Sequence, residues 1–149
     1  MSGQVHRHLH RVIYSECTVG DHVYYGRYLD LLEEARGEFF RALGLTFRAL
    51  QDRGTALPVI DCALQFKSAA RYDDILTIET RLVELGRVRL TFGYRILKAE
   101  GQLVLTATTV HASTNLSEKP ERLPDDLRGR LLPFLQTQNH TANAPHSSA

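Results

Sequence analysis

Apolar residues recur along this chain with two different periods. Tyr28, Leu31, Leu32, Ala35, Phe39, Ala42 and Leu43 return at intervals of three and four, which is one stripe of a single helix. Gly44 supplies its stop. Leu29 and Phe40 fall off that stripe, so the helix is apolar over more than half its girth and is expected to be wrapped by other elements rather than laid on a surface. A short second helix is predicted over residues 47–53, with Thr46 as N-cap and Gly54 as terminator. The period then changes to two. Ile60, Cys62, Leu64 and Phe66 alternate, as do Leu76, Ile78, Thr80 and Leu82. Val88, Leu90, Phe92, Tyr94 and Ile96 alternate against Arg89, Thr91, Gly93 and Arg95. Compact turns at Glu84-Leu85-Gly86 and Glu100-Gly101-Gln102 join these strands, predicting an antiparallel meander over residues 75–113. A looser alternation over residues 5–14, with β-favouring Val12 and Tyr14, predicts a first strand that ends at the turn-rich stretch 18–21. One long helix with about five antiparallel strands is an α+β domain.

Composition narrows the function. The 149 residues are 43% apolar, enough for one core without staples. Residues 1–135 are read as one domain, and 136–149, which carry no apolar period, as a disordered tail. A net charge of +1 leaves no concentrated basic face for nucleic acid. No stretch approaches 18 consecutive apolar residues and the N-terminus lacks the core of a signal peptide, so a cytoplasmic protein is expected, with no membrane partner. Cys17 and Cys62 show neither disulfide nor zinc-ligand spacing. His6, His8 and His10 alternate and share one strand face, but nothing nearby offers a clear fourth ligand, so no metal is expected. No glycine-rich phosphate loop is present.

Three stretches, HVYYGRYLDLLEEAR, FKSAARYDDILTIETRLVELGR and TVHASTNLSEKPERLP, occur in an order and spacing that resembles the hotdog-fold acyl-CoA thioesterases of the 4-hydroxybenzoyl-CoA thioesterase type. The resemblance spans residues 9–132. It implies a long central helix wrapped by a curved antiparallel sheet. It also implies hydrolysis of a coenzyme A thioester without a cofactor, and subunits that pair, as a homodimer or a tetramer of dimers, to complete their sites.

Thioester hydrolysis needs a carboxylate that attacks the carbonyl or activates water, and donors for the developing oxyanion. The resemblance places the family's Asp-x-Asp motif on Glu16-Cys17-Thr18, so Thr18 stands where the usual catalytic aspartate would be. A threonine hydroxyl is not ionised near neutral pH and does not replace that base. Glu16, Asp21 and Glu33 are the nearby carboxylates. Glu33 lies eight residues beyond Tyr25, about 12 Å along a helix and too far to serve the helix start within one subunit. Glu16 shares the face of Thr18 only if the strand runs through both. Asp21, in the loop itself, is the preferred displaced carboxylate, with a helix N-cap as its alternative role. The Tyr25 backbone N–H is the oxyanion donor that the resemblance implies. His22 is a candidate to position water or substrate, Tyr24 and Tyr25 are pocket walls, and Arg71, Arg87 and Arg89, with Lys67, are candidates for the phosphates of coenzyme A. Glu33 and Arg36 read as an i, i+3 surface ion pair. The second functional reading is a protein that binds acyl-CoA or an acyl carrier without turning it over; a dehydratase lacks its His and Asp pairing.

Overall fold

A computed structural model describes residues 3–137. Strand β1 (His6–Arg11) leads through a 3-10 turn (Tyr14–Glu16) to a hairpin of two short strands, β2 (Cys17–Thr18) and β3 (His22–Val23). Helices α1 (Arg27–Ala42) and α2 (Phe47–Asp52) follow. Then come β4 (Val59–Phe66), β5 (Ile75–Leu85), β6 (Arg89–Lys98) and β7 (Leu103–Ala112), and finally α3 (Asp125–Leu131), which runs into a 3-10 turn. The five long strands form one antiparallel sheet in the order β1-β5-β6-β7-β4.

The helix stripe does what its period predicts through Phe39, while its last two positions, Ala42 and Leu43, are exposed and half-buried. Tyr28, Leu31, Leu32, Ala35 and Phe39 are buried, and off-stripe Phe40 is buried with them, while off-stripe Leu29 stays half exposed. They meet the inward-facing residues of the meander, Leu76, Ile78, Leu82, Leu90, Phe92 and Ile96, all fully buried. Phe39 and Phe40 set their rings edge-on to Phe92 at 5.9 and 6.0 Å, the arrangement that the ring quadrupoles favour. Register shifts at Val59/Asp61, Leu82/Glu84 and Ile96/Leu97 insert bulges that bend the strands around the helix.

The structure departs from the expected pattern in three places. The first strand stops at Arg11 instead of continuing to Tyr14: the Ile13 N–H turns to the Glu16 carboxylate (2.8 Å), and that reciprocal cap closes a 3-10 turn where the propensities of Val12 and Tyr14 favoured extension. Helix α3, with Pro124 before it and only Leu127 and Leu131 buried, carries too few apolar positions for its period to show. At the end of the domain, Gln136 is tied down by its N–H to Leu82 O (2.9 Å) and its amide to Gln4 O (3.1 Å). The rest of the expected tail, 138–149, lies outside the described residues.

Sheet edge β4 is unlike the other long strands. Seven of its eight residues are exposed, Val59, Ile60 and Phe66 among them, so an apolar edge runs open beside α1.

Candidate active site along the helix seam

The β2–β3 hairpin holds the residues singled out around the absent aspartate. The Asp21 N–H bonds back to Thr18 O (3.0 Å), with Gly20 at φ +81°, a conformation that a glycine adopts without cost. Asp21 follows at φ 65°; aspartate tolerates this left-handed region better than most residues. Arg71 braces the same loop by donating Nη1 to Gly20 O (2.9 Å), so one candidate for coenzyme A phosphate is engaged in holding the hairpin. Thr18 and Asp21 are both exposed and line one shallow depression with Tyr14, Cys17, Val19 and Gly20. Asp21 does not cap the helix. The N-cap is Gly26, five residues on, and no side chain caps there. A Cβ on Gly26 would sit 2.8 Å from the Tyr24 ring, so glycine at this point lets that ring close over the helix start.

Glu16 is not a free base. It is 8% exposed, and beyond the Ile13 N–H its oxygens accept from His10 Nε2 at 2.9 and 3.0 Å. The other His10 nitrogen, Nδ1, reaches Glu34 Oε2 (2.9 Å), and His8 Nε2 reaches that same oxygen (2.8 Å). Burial opposes charge on His10, but its hydrogen bonds to the two carboxylates and their fields outweigh it, so its pKa is raised and both ring nitrogens donate. The three alternating histidines do share a face, and that face is turned to α1, clamping strand to helix; it is not an idle edge. Among the described residues no group of three or more His, Cys, Asp or Glu is arranged to hold a metal ion.

The start of α1 has the electrostatics of an oxyanion site. Arg27 and Tyr28 donate to Tyr24 O (2.8 Å) and Tyr25 O (3.3 Å), whereas the N–H groups of Tyr25 and Gly26 have no acceptor among the described residues. They sit at the positive end of a 16-residue helix. An open cavity there is lined by His22, Tyr25, Tyr28, Phe66 and Lys67. Further along the seam between α1 and β4, a second cavity is lined by Leu29, Glu33, Arg36, Val59 and Cys62. A third, of about 240 Å³, lies between the second half of α1, α2 and the sheet, and Glu33 and Arg36 line it too.

Glu33 and Arg36 form no ion pair. Arg36 turns inward and donates Nη1 to Tyr94 Oη (3.1 Å), Tyr94 Oη lies 2.7 Å from Thr109 Oγ1, and His111 Nε2 lies 2.8 Å from that hydroxyl. His111 Nδ1 is 2.9 Å from Leu57 O. A carbonyl only accepts, so Nδ1 carries the proton and Nε2 accepts from Thr109. Every donor in the chain then points one way, from Arg36 to Leu57. Burial, opposed by the hydrogen bond to Leu57 and helped by Arg36, drives the His111 pKa down to about 4.

That value fixes a sign. Between pH 6.5 and about 4 the unfolded chain takes a proton on His111 that the folded chain refuses, so stability falls with pH across that window. Urea unfolding should show His111 costing about 2 kcal/mol between pH 7 and pH 4.5, and His111→Gln should remove that part of the acid loss. His10 has the opposite sign: its raised pKa contributes stability at low pH that is lost as pH rises through the folded value.

Arg87 and Arg89 sit at the far end of the sheet from Arg71, separated by the eleven residues of β5, roughly 30 Å of strand. Arg87 shares a small pocket there with Arg122 and Arg128.

Residues 14–131 match the family model of the thioesterase-like superfamily. The chain belongs to that family. It is 32% identical to the acyl-CoA thioesterase YbgC of Haemophilus influenzae, over 79% of this chain and 88% of the relative. It is 34% identical to a 1,4-dihydroxy-2-naphthoyl-CoA hydrolase of Synechococcus elongatus, over 71% and 82%. A probable thioesterase from Bartonella henselae superposes with a TM-score of 0.77 at 31% identity, covering 81% of this chain and all of that one. This thioesterase-like chain thus has the hotdog architecture of its family, α1 forming the filling and the five-stranded sheet the wrap.

Proposed function

We propose that this protein hydrolyses acyl-CoA thioesters, with the thioester carbonyl at the start of α1 and the acyl group in the seam between α1 and β4. The observation that carries the reading is the pair of unclaimed N–H groups at Tyr25 and Gly26, at a helix N-terminus that opens on a cavity with an apolar wall. Water adds to the carbonyl carbon as a carboxylate takes its proton. The Tyr25 N–H holds the resulting oxyanion, and collapse breaks the C–S bond, the thiolate leaving with a proton as coenzyme A. Asp21 is the carboxylate of this reading: exposed, unpaired among the described residues, and held by a turn that carries Thr18 beside it. The step uses no metal ion or cofactor. The relatives, an acyl-CoA thioesterase and a 1,4-dihydroxy-2-naphthoyl-CoA hydrolase, support the thioester class. The free thiols Cys17 and Cys62 fit a reducing, cytoplasmic setting.

The working unit in this proposal is a pair of copies joined edge to edge along β4. Inward-facing residues must lie opposite inward-facing residues if both helices are to stay on one face of the joined sheet. A register centred on Ala63 satisfies that. It sets Phe66, which lines the cavity at the helix start, opposite the Val59–Ile60 bulge of the second copy, beside that copy's Glu33 and Arg36. This favours a second reading of the base, in which Glu33 of one copy serves the Tyr25 N–H of the other, past the 12 Å that separates them within one helix.

Thiol release from a panel of acyl-CoAs tests the function. Turnover of at least one thioester is expected, by a species that light scattering finds to be a dimer or a tetramer of dimers. Binding of acyl-CoA or acyl carrier with no thiol released would make the protein a binding module.

A further inference from the structure

We infer that Arg36 is a specificity residue that anchors an oxygen acceptor at the distal end of a compact acyl group. The inference rests on the proposed hydrolysis and on the pair of copies joined along β4: Arg36 lies ten residues past Gly26, about 15 Å along its own helix, so the carbonyl of the compact acyl group it anchors is the one held at the helix start of the second copy. Three observations carry it. The cavity of about 240 Å³ is walled by Phe40, Phe47, Leu50, Phe92 and Leu116, so it offers burial to an apolar body. Its volume falls below the ~300 Å³ at which drug-sized ligands begin to fit, which limits the guest to a ring or a short chain. Gln51 and Thr55 add neutral polar groups to the lining, and Arg36 is its only Lys or Arg among the described residues.

Arg36 is also held for the task. One of its five N–H donors goes to Tyr94, and the others find no acceptor among the described residues. Tyr94, Thr109 and His111 pass their hydrogen bonds onward to Leu57 O, so beyond the one bond to Tyr94 Oη nothing in that relay accepts from the guanidinium. His111 is neutral at physiological pH and adds no competing cation. An acyl group that filled the cavity with carbon alone would strip water from these donors and give nothing in return. A phenolic or carboxylate oxygen placed against Arg36 would meet them. Glu33, one turn nearer the helix start and lining the same cavity, disfavours an anion at its own end and so confines the acceptor to the Arg36 end. Sites built to bond a substrate oxygen reject the analogue lacking it by as much as ~10⁴; Arg36 is only half-buried, so a smaller preference is expected.

The test is thiol release by the full-length protein from paired CoA thioesters of matched size: 4-hydroxybenzoyl against 4-methylbenzoyl, and glutaryl against pentanoyl. At least one oxygen-bearing member should exceed its partner by about tenfold or more in kcat/KM, and the pair that shows it distinguishes a phenol from a carboxylate as the ligand. Arg36→Met should collapse that ratio toward one. Thr109→Val, which takes the acceptor from Tyr94 without touching the cavity's cation, should lower the ratio through KM. Where Arg36→Met fails to fold, Arg36→Lys, which keeps the charge and loses the planar fork, should still lower it. Turnover with no preference in either wild-type pair, or a preference that survives Arg36→Met, overturns the inference and leaves the hydrolase reading standing. No thiol from any of the four, or from the wider panel, overturns both.

Discussion

Replacing Asp21 with Asn should lower kcat by about 10²–10⁴, the contribution of a positioned base, while the melting temperature stays within a few degrees. The second expectation follows from placement: Asp21 sits in an exposed turn, makes no helix cap, and an Asn tolerates its φ of 65° as well as an Asp does. The rate effect sorts the three carboxylates. Glu16 is bound on both oxygens by His10 and Ile13, so Glu16→Gln should cost stability by stripping a charged partner from His10, with little change in kcat per folded molecule. Glu33→Gln should leave kcat unchanged if Asp21 is the base. A fall of 10² or more in Glu33→Gln, with Asp21→Asn active, would move the base to the helix of the second copy. Thr18→Asp supplies the complementary sign. Beside an ionised Asp21, a second carboxylate raises one of the two pKa values by like-charge repulsion, so the rate should fall or its pH optimum should move upward. If no carboxylate acts from the hairpin, Thr18→Asp should instead raise turnover, because the helix start favours a negative charge near it.

How much of this was legible in the sequence follows from what each feature depends on. The stripe of α1 and the alternation of β6 are written in one-dimensional periods, because burial on one face forces them, and both elements lie within a residue or two of their expected bounds. The β2–β3 hairpin is too short for any period; only Gly20 and Asp21 marked its turn. Helix α3 hides its period behind its charges, although Pro124 followed by Asp125 and Asp126 is a first-turn signal. The site divides in the same way. Glu16 and His10 stand six residues apart, yet their bond depends on a 3-10 turn that propensity argued against. Arg36 looked like the partner of Glu33 because both are local on one helix; its actual partner, Tyr94, is 58 residues away on β6 and is reachable only once the sheet wraps the helix. Thr109 and His111 do share a face by simple alternation on β7, but nothing in that alternation says which side chain of α1 they support.

The edge of β4 carries the other large effect. Ala63→Arg should turn the pair of copies into monomers by light scattering and lower activity per chain by 10² or more, with the circular dichroism spectrum of a folded chain retained. Ala63 is exposed, and its strand bonds only to β7, so an arginine there meets nothing within its own subunit. In the register centred on Ala63 the two substituted side chains lie directly opposite each other, about 5 Å apart at Cβ, where like charges destabilise pairing. A charge on an open strand edge is also the device by which monomeric proteins keep such edges from pairing. Activity should fall with the pairing because the helix start of each copy loses the Val59–Ile60 wall beside Phe66, and its cavity then opens to water, which weakens any hydrogen bond made to the oxyanion. The two readouts separate the possible failures. An active monomer would show that one copy holds a complete site, which would exclude Glu33 of a second copy as the base and leave Asp21 to act within its own chain. An active dimer would show that the copies meet elsewhere than along β4.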